Sequence, residues 1–283
     1  MIYISTGGFK NLTGEQAYKK IRSFGHKNIE LSAGKYSKEL EKKIIKIKSK
    51  EARIQSHNYF PPKKKPFVFN LGSLDSNIAK MSINHVKKNI LFSKKINSKF
   101  FSFHAGFRVD PHISQLGKRI TKSKLASKKK CMGIFVKRVK KLVNFASKHK
   151  IKLLVENNVV TKQNFKNFGT NPFLLTNPKD IKIFFTKLKN FKVGFLCDVG
   201  HLKVSSNTEK FNLKKGHSGL KKFIEAYHIS DNNGISDSNS PVKKNSWFLK
   251  DLKKNAKFYT IEVYTQNINI IKKQVKLINS FVN

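Results

Sequence analysis

Short apolar runs alternate with longer amphipathic stretches along this chain, and the alternation repeats eight times. The short runs, rich in Ile, Val, Leu and aromatic residues, predict strands. They lie at Ile2–Ser5, Asn28–Leu31, Arg53–His57, Phe100–His104, Lys152–Glu156, Val193–Asp198, Ala226–Ser230 and Phe258–Val263. Apolar residues spaced three and four apart predict helices over Gly14–Phe24, Ser37–Lys50, Asn77–Ile96, Gly133–His149, Pro178–Leu188, Ser218–Glu225, Trp247–Asn255 and Ile268–Phe281. Strict alternation implies a parallel sheet, because parallel neighbours need crossover connections. Eight such units predict closure into a barrel. An open doubly wound sheet is the competing topology, but Thr6-Gly7-Gly8 after the first strand is not the glycine fingerprint such a sheet carries.

The expected α/β fold is therefore one (β/α)8 TIM barrel over residues 1–283, with its active site at the C-terminal mouth. Connection lengths support it. Segments after strands three to seven are long (58–76, 105–132, 157–177, 199–217 and 231–246), whereas those after helices are short, as at 25–27 and 51–52. In a barrel the long set emerges at one mouth, where active sites are built. No domain linker interrupts the period.

Composition changes this picture little. Nothing near Met1 reads as a secretory leader, and no run approaches the roughly 18 apolar residues of a membrane span. Two cysteines, Cys131 and Cys197, exclude a disulfide framework. A cytoplasmic protein without membrane association is expected. The formal charge of +43 is dominated by lysine, with only five arginines among 59 basic residues. Recognition of phosphate in a fixed geometry favours the guanidinium fork, so the lysines are read first as a solvated coat. Nucleic acid stays the less favoured partner.

Candidate chemistry sits at the strand ends. Glu30, His57, His104, Glu156, Asp198, His228 and Glu262 fall at or near the C-terminal ends of strands two to eight. Singly, each reads as a satisfied polar residue. Barrel closure brings all of them around one mouth, where several carboxylates would repel one another unless a cation were bound. Three carboxylates and an imidazole (Glu156, Asp198, Glu262 and His228) suit Mn²⁺, Mg²⁺, Co²⁺ or Zn²⁺. Cys197 should face away from the axis if Asp198 faces in.

Several segments then resemble the xylose-isomerase-like barrel superfamily, most closely its sugar-phosphate isomerase/epimerase branch. They are Asn28-Ile-Glu-Leu-Ser, Phe103-His104-Ala-Gly, Leu154-Val-Glu156-Asn157-Asn, Cys197-Asp198-Val-Gly-His201, Tyr227-His228-Ile-Ser-Asp231-Asn-Asn-Gly234 and Ile261-Glu262-Val. The resemblance implies a metal held by Glu156, Asp198, His228 and Glu262, with Glu156 and Glu262 as the catalytic proton carriers. It implies a small carbohydrate substrate contacted by His201, isomerised or epimerised through a metal-stabilised enediolate. Glu30 is a further candidate substrate contact, and His57 and His104 are candidates for a second metal or for substrate. Two family positions differ here, with Lys162 where epimerases carry a carboxylate and Gly234 where they carry an arginine. The seventh loop also departs, reading Asp237-Ser-Asn239 and then Val242-Lys-Lys-Asn-Ser. Lys63–Lys65, Arg108 and Lys162 all fall on mouth loops, so Arg108 and Lys162 are candidate contacts for an anionic substrate.

The same superfamily includes zinc-dependent abasic-site endonucleases, and a metal-dependent phosphodiesterase is the alternative function. His57, His104 and Glu156 match one metal site of that group. Asn239 stands where its third site needs a histidine, and asparagine is a poor zinc ligand.

Overall fold

The apolar runs become strands because each is covered on both faces, by the barrel interior and by the helical shell. A computed structural model of the chain describes residues 1–282. Its eight parallel strands are β1 (Ile2–Ser5), β2 (Asn28–Leu31), β3 (Arg53–His57), β4 (Phe100–His104), β5 (Lys152–Glu156), β6 (Val193–Asp198), β7 (Ile224–Ile229) and β8 (Phe258–Ile261). They pair in sequence order, and β8 closes onto β1. The helices are α1 (Gly14–Ser23), α2 (Leu40–Ile47), α3 (Ser76–Lys95), α4 (Lys128–Lys148), α5 (Lys162–Phe168), α6 (Pro178–Lys187), α7 (Val199–Glu209), α8 (Leu213–Ser218) and α9 (Ile268–Val282). None of them is long and apolar enough to cross a membrane.

The barrel expectation holds, with local corrections. The helix predicted over Ser218–Glu225 is instead the end of α8, a turn and the start of β7. The one predicted over Trp247–Asn255 is a single 3-10 turn at Leu249–Asp251, so the seventh unit lacks a full helix. Strand β7 begins two residues earlier than predicted, next to a register shift at Phe195/Leu196 in β6, and β8 ends at Ile261. Conversely, α5, α7 and part of α8 occupy segments read as loops.

Alternation along the strands sorts side chains into two environments. Leu153 and Val155 of β5, and Phe195 and Cys197 of β6, pack outward with the helices in the largest apolar cluster. Cys197 thus points away from the axis, as expected. Leu154 and Leu196 face inward, where they join Tyr3, Ala226, Phe258 and Phe100 in a separate apolar plug. That plug floors the barrel. One layer higher the inward side chains turn polar.

Candidate functional site

Inward-facing positions near the top of the strands carry His57 (β3), His104 (β4), Glu156 (β5), Asp198 (β6) and His228 (β7), and Glu262 follows β8 directly. The register places His104 beside Glu156 and Asp198 beside His228. One ligand atom each from Glu156, Asp198, His228 and Glu262 lies within 4.8 Å of all the others. A second such group is His57, His104 and Glu156, and a third is Glu30, His57 and His228. Glu156, Asp198 and His228 are completely buried. The side chain of Glu262 is 13% exposed and that of His104 is 26% exposed, so these two face the entrance.

Glu156 is the hub. Its Oε2 lies 3.3 Å from His57 Nε2 and 3.8 Å from His104 Nε2, and its Oε1 lies 3.4 Å from His228 Nδ1 and 3.5 Å from His201 Nδ1. Burial opposes its ionisation, but the imidazoles of His104, His228 and His57 outweigh burial and hold the carboxyl well below the usual carboxylate range. For Asp198, burial wins. It pushes the carboxyl up to about 7, with His201 pulling against it and Glu156 adding to it. Burial also draws His104 down to about 3 and lowers His57. Burial would lower His228 too, yet Glu30, Glu156 and Glu262 hold it well above its ordinary value.

Beneath this layer lies a set of supporting contacts. Glu30 has its Oε1 2.9 Å from His228 Nε2, and its Oε2 accepts from Gln55 Nε2 at 2.8 Å and Thr260 Oγ1 at 3.1 Å. His57 Nδ1 meets the Ser102 hydroxyl at 2.9 Å. Asn157 clasps the β6 end: its Oδ1 accepts from Asp198 N at 2.9 Å and its Nδ2 donates to Asp198 O at 3.1 Å. Asp198 also caps α7 by accepting from His201 N at 2.7 Å, which turns the chain so that His201 faces the cluster. His201 Nδ1 lies 2.8 Å from the Asn157 carbonyl, which can only accept, so this nitrogen carries a proton. Its Nε2 lies 3.2 Å from Asp237 Oδ2 and 3.8 Å from Asp198 Oδ2.

Glu30 has no exposed surface and lies under His228, where it contacts that imidazole together with Gln55 and Thr260. Arg108 donates from Nε to the Ala126 carbonyl and from Nη1 to the Asn171 carbonyl, holding two mouth loops together instead of reaching the cluster. Lys162 opens α5 with an exposed side chain, and no contact of the cluster involves it. Asn157, Gln55, Ser102 and Thr260 are site residues that the sequence pattern does not single out. A signal is present for three of them: Gln55, Ser102 and Thr260 stand two residues before His57, His104 and Glu262, on the same inward face.

The donor set fits a divalent cation. Both carboxylate oxygens of Glu156, Oδ2 of Asp198 and Nδ1 of His228 are buried without a hydrogen-bond partner, a condition costly for charged oxygens unless an ion meets them. Carboxylate oxygen and imidazole nitrogen together suit hard to borderline divalent ions.

A family profile for xylose isomerase-like TIM barrels matches residues 18–276. Among solved structures, a D-tagatose 3-epimerase-like protein aligns with 100% of this chain over 99% of its own, at 16% identity and TM-score 0.71. A 3-keto-D-glucoside 4-epimerase from E. coli aligns with 99% of this chain over 98% of its own, at 9% identity and TM-score 0.68. An L-ribulose 3-epimerase aligns with 97% over 86% of its own, at 12% identity and TM-score 0.66. Identities this low speak for the fold alone. A comparison with curated proteins returned no match.

Proposed function

The chain belongs to the xylose isomerase-like TIM-barrel family, and on that premise we propose that it is a divalent-metal-dependent isomerase or epimerase of a small carbohydrate. The observation that carries this reading is the cluster of buried ligand atoms on Glu156, Asp198 and His228 that make no hydrogen bond, with Glu262 beside them. These four would hold Mn²⁺, Mg²⁺, Co²⁺ or Zn²⁺. Such an ion, when bound, polarises a carbonyl and stabilises negative charge on its oxygen. The solved structures this chain resembles include sugar epimerases, which favours carbohydrate over other carbonyl substrates.

The protein's own groups supply the proton transfer. Glu156 ends β5 and Glu262 follows β8, three strands away around the ring, so their carboxylates approach a carbon placed between them from two sides. One removes the proton next to the carbonyl and the other returns a proton. His201, with Nε2 directed at Asp198 and Asp237, is placed to orient a substrate hydroxyl, and His104 presents its exposed edge to the entrance. The apolar floor keeps water from entering below. With Arg108 committed to loop carbonyls, Lys162 and Lys63–Lys65 are the candidates left to meet an anionic group, so neutral sugars and sugar phosphates are both substrates to test.

One observation favours a second reading. His57, His104 and Glu156 form a further potential ligand group, and two ions would suit phosphodiester hydrolysis. A third site would need His201, Asp237 and a histidine at position 239: His201 and Asp237 do lie together, 3.2 Å apart, but Asn239 stands in place of the histidine and its Oδ1 accepts from the Ser230 hydroxyl at 3.0 Å.

Proton exchange tests the first reading. Metal-loaded protein in D₂O is incubated with ketoses, aldoses and their phosphates, and loss of the proton next to the carbonyl is followed by NMR. Exchange is expected with at least one sugar and is abolished in Glu262→Gln with the circular dichroism unchanged. No exchange with any sugar, alongside cleavage of abasic DNA, would transfer the assignment to the second reading.

A further inference from the structure

The outer wall carries a second feature, independent of the mouth. Between residues 76 and 155 the chain has one acidic residue, Asp110, against 21 lysines and arginines. Asp110 is itself engaged by Asn70 and Ser73. Helices α3 and α4, which pack side by side, contain no acidic residue at all. On α3, Lys80, Lys87 and Lys94 recur every seven residues, and on α4 Lys130, Lys137, Lys141 and Lys148 fall at intervals of seven, four and seven. At 3.6 residues per turn each series forms one stripe, with a rise of roughly 10 Å per seven residues. All seven side chains are exposed and none has a carboxylate partner among the described residues.

A groove of about 270 Å³ runs between the two helices, floored by Ile83, Leu142 and Phe145 and edged by Lys87, Lys141 and Lys148. Lys87 Nζ sits 5.4 Å from the centroid of the half-buried Phe145 ring. We infer that this groove binds single-stranded nucleic acid. Lysine rows flanking a partly exposed aromatic ring offer contacts to phosphates on either side and a surface for a base between them. A lysine is a point charge without fixed geometry, which suits binding without sequence preference. A bilayer meets a flat or convex face and would leave the groove floor untouched. An acidic peptide supplies charge but no flat ring at each repeat. A second copy of this chain, at +43, is repelled.

The test is anisotropy of a fluorescein-labelled oligo(dT) 20-mer, with heparin and phosphatidylserine vesicles as charge-only comparisons. Three proteins are compared with the wild type: Lys87→Gln/Lys141→Gln/Lys148→Gln; a control with the same charge change elsewhere, Lys187→Gln/Lys273→Gln/Lys276→Gln; and Phe145→Leu. Removing one lysine–phosphate pair from a single-strand complex lowers affinity about fivefold at 0.1 M salt, so the groove triple should lose about 100-fold and about two units of salt slope. The control triple should lose far less. Phe145→Leu should weaken oligo(dT) binding while leaving heparin binding unchanged, and a thermal melt confirms that it folds. Equal losses in the two triples would overturn the site in favour of a diffuse lysine coat. An unchanged Phe145→Leu, or vesicle binding that depends on the groove while oligo(dT) binding does not, would overturn the nucleic-acid assignment.

Discussion

Replacing Glu30 with glutamine probes how the proposed metal histidine is held. Glu30 is fully buried, with Oε1 2.9 Å from His228 Nε2 and Oε2 accepting from Gln55 and Thr260. The carboxylate charge 2.9 Å from Nε2 favours a proton on that nitrogen, which leaves Nδ1 to face the cluster, 3.0 Å from Glu262 Oε2. An amide has one acceptor oxygen for these three donors, and its NH₂ would confront one of them. The ring also loses the negative charge that strengthens Nδ1 as a donor of electrons to the ion. Supporting carboxylates of this kind are worth 10–100-fold in metal affinity, or about 1.4–2.7 kcal/mol. The assay is calorimetric titration of Mn²⁺ or Co²⁺ into chelator-stripped wild type and Glu30→Gln, with melts of both metal-free forms to show that the barrel survives. A variant that folds and binds metal as tightly as wild type would refute the role of Glu30, and with it the use of Nδ1 as the ligand atom.

Metal at 100 times its dissociation constant should stabilise the protein by about 2.7 kcal/mol, raising Tm by roughly 5 °C for a chain of this length; scanning calorimetry should show that shift in wild type and not in Asp198→Asn, and the same shift in both would contradict the site. Gly8→Ala would put a Cβ 2.4 Å from the Val263 carbonyl oxygen, next to Glu262. It should cost about 1–3 kcal/mol and weaken metal binding, whereas an unchanged melt and affinity would show the turn to be yielding. Burial draws His85 down to about 4, against a weaker opposing contact with the Asn58 carbonyl. The unfolded chain therefore takes up this proton first as pH falls, so the contribution is full above about 6.5 and is lost towards pH 4, roughly 3 kcal/mol in all. Urea melts of His85→Gln should lose correspondingly less stability between pH 7 and 4, and parallel pH profiles would refute the assignment.

Much of the barrel was legible because parallel strands buried on both faces read as compact apolar runs, and those of β3 to β6 stop at a polar residue of the cluster. Val155-Glu156 and Cys197-Asp198 mark strand ends for that reason. The helices were less legible where packing, rather than periodicity, makes them. Helix α7 reads Val-Gly-His-Leu-Lys-Val-Ser-Ser-Asn-Thr-Glu, and its buried polar residues hide the apolar stripe; Ser205, for one, accepts from Val160 N at 3.1 Å. Conversely, Trp247, Phe248, Leu249 and Leu252 mimic a helical stripe but pack into the outer core from an irregular segment. In the site, the strand-end residues could be named from sequence. Their depth could not, because Glu30 and Glu262 look alike in the pattern, yet Glu30 is fully buried while the Glu262 side chain is 13% exposed.

Metal stoichiometry decides whether the four-residue cluster holds an ion. Protein purified without chelators or a metal-affinity tag is analysed for elemental content beside a Glu156→Gln/Glu262→Gln double variant, both after reconstitution with Mn²⁺, Mg²⁺, Co²⁺ and Zn²⁺. About one tightly held ion per chain is expected in the wild type, lost in the double variant although the barrel still folds. A wild type that retains no ion, or a variant that retains as much as the wild type, would contradict the site.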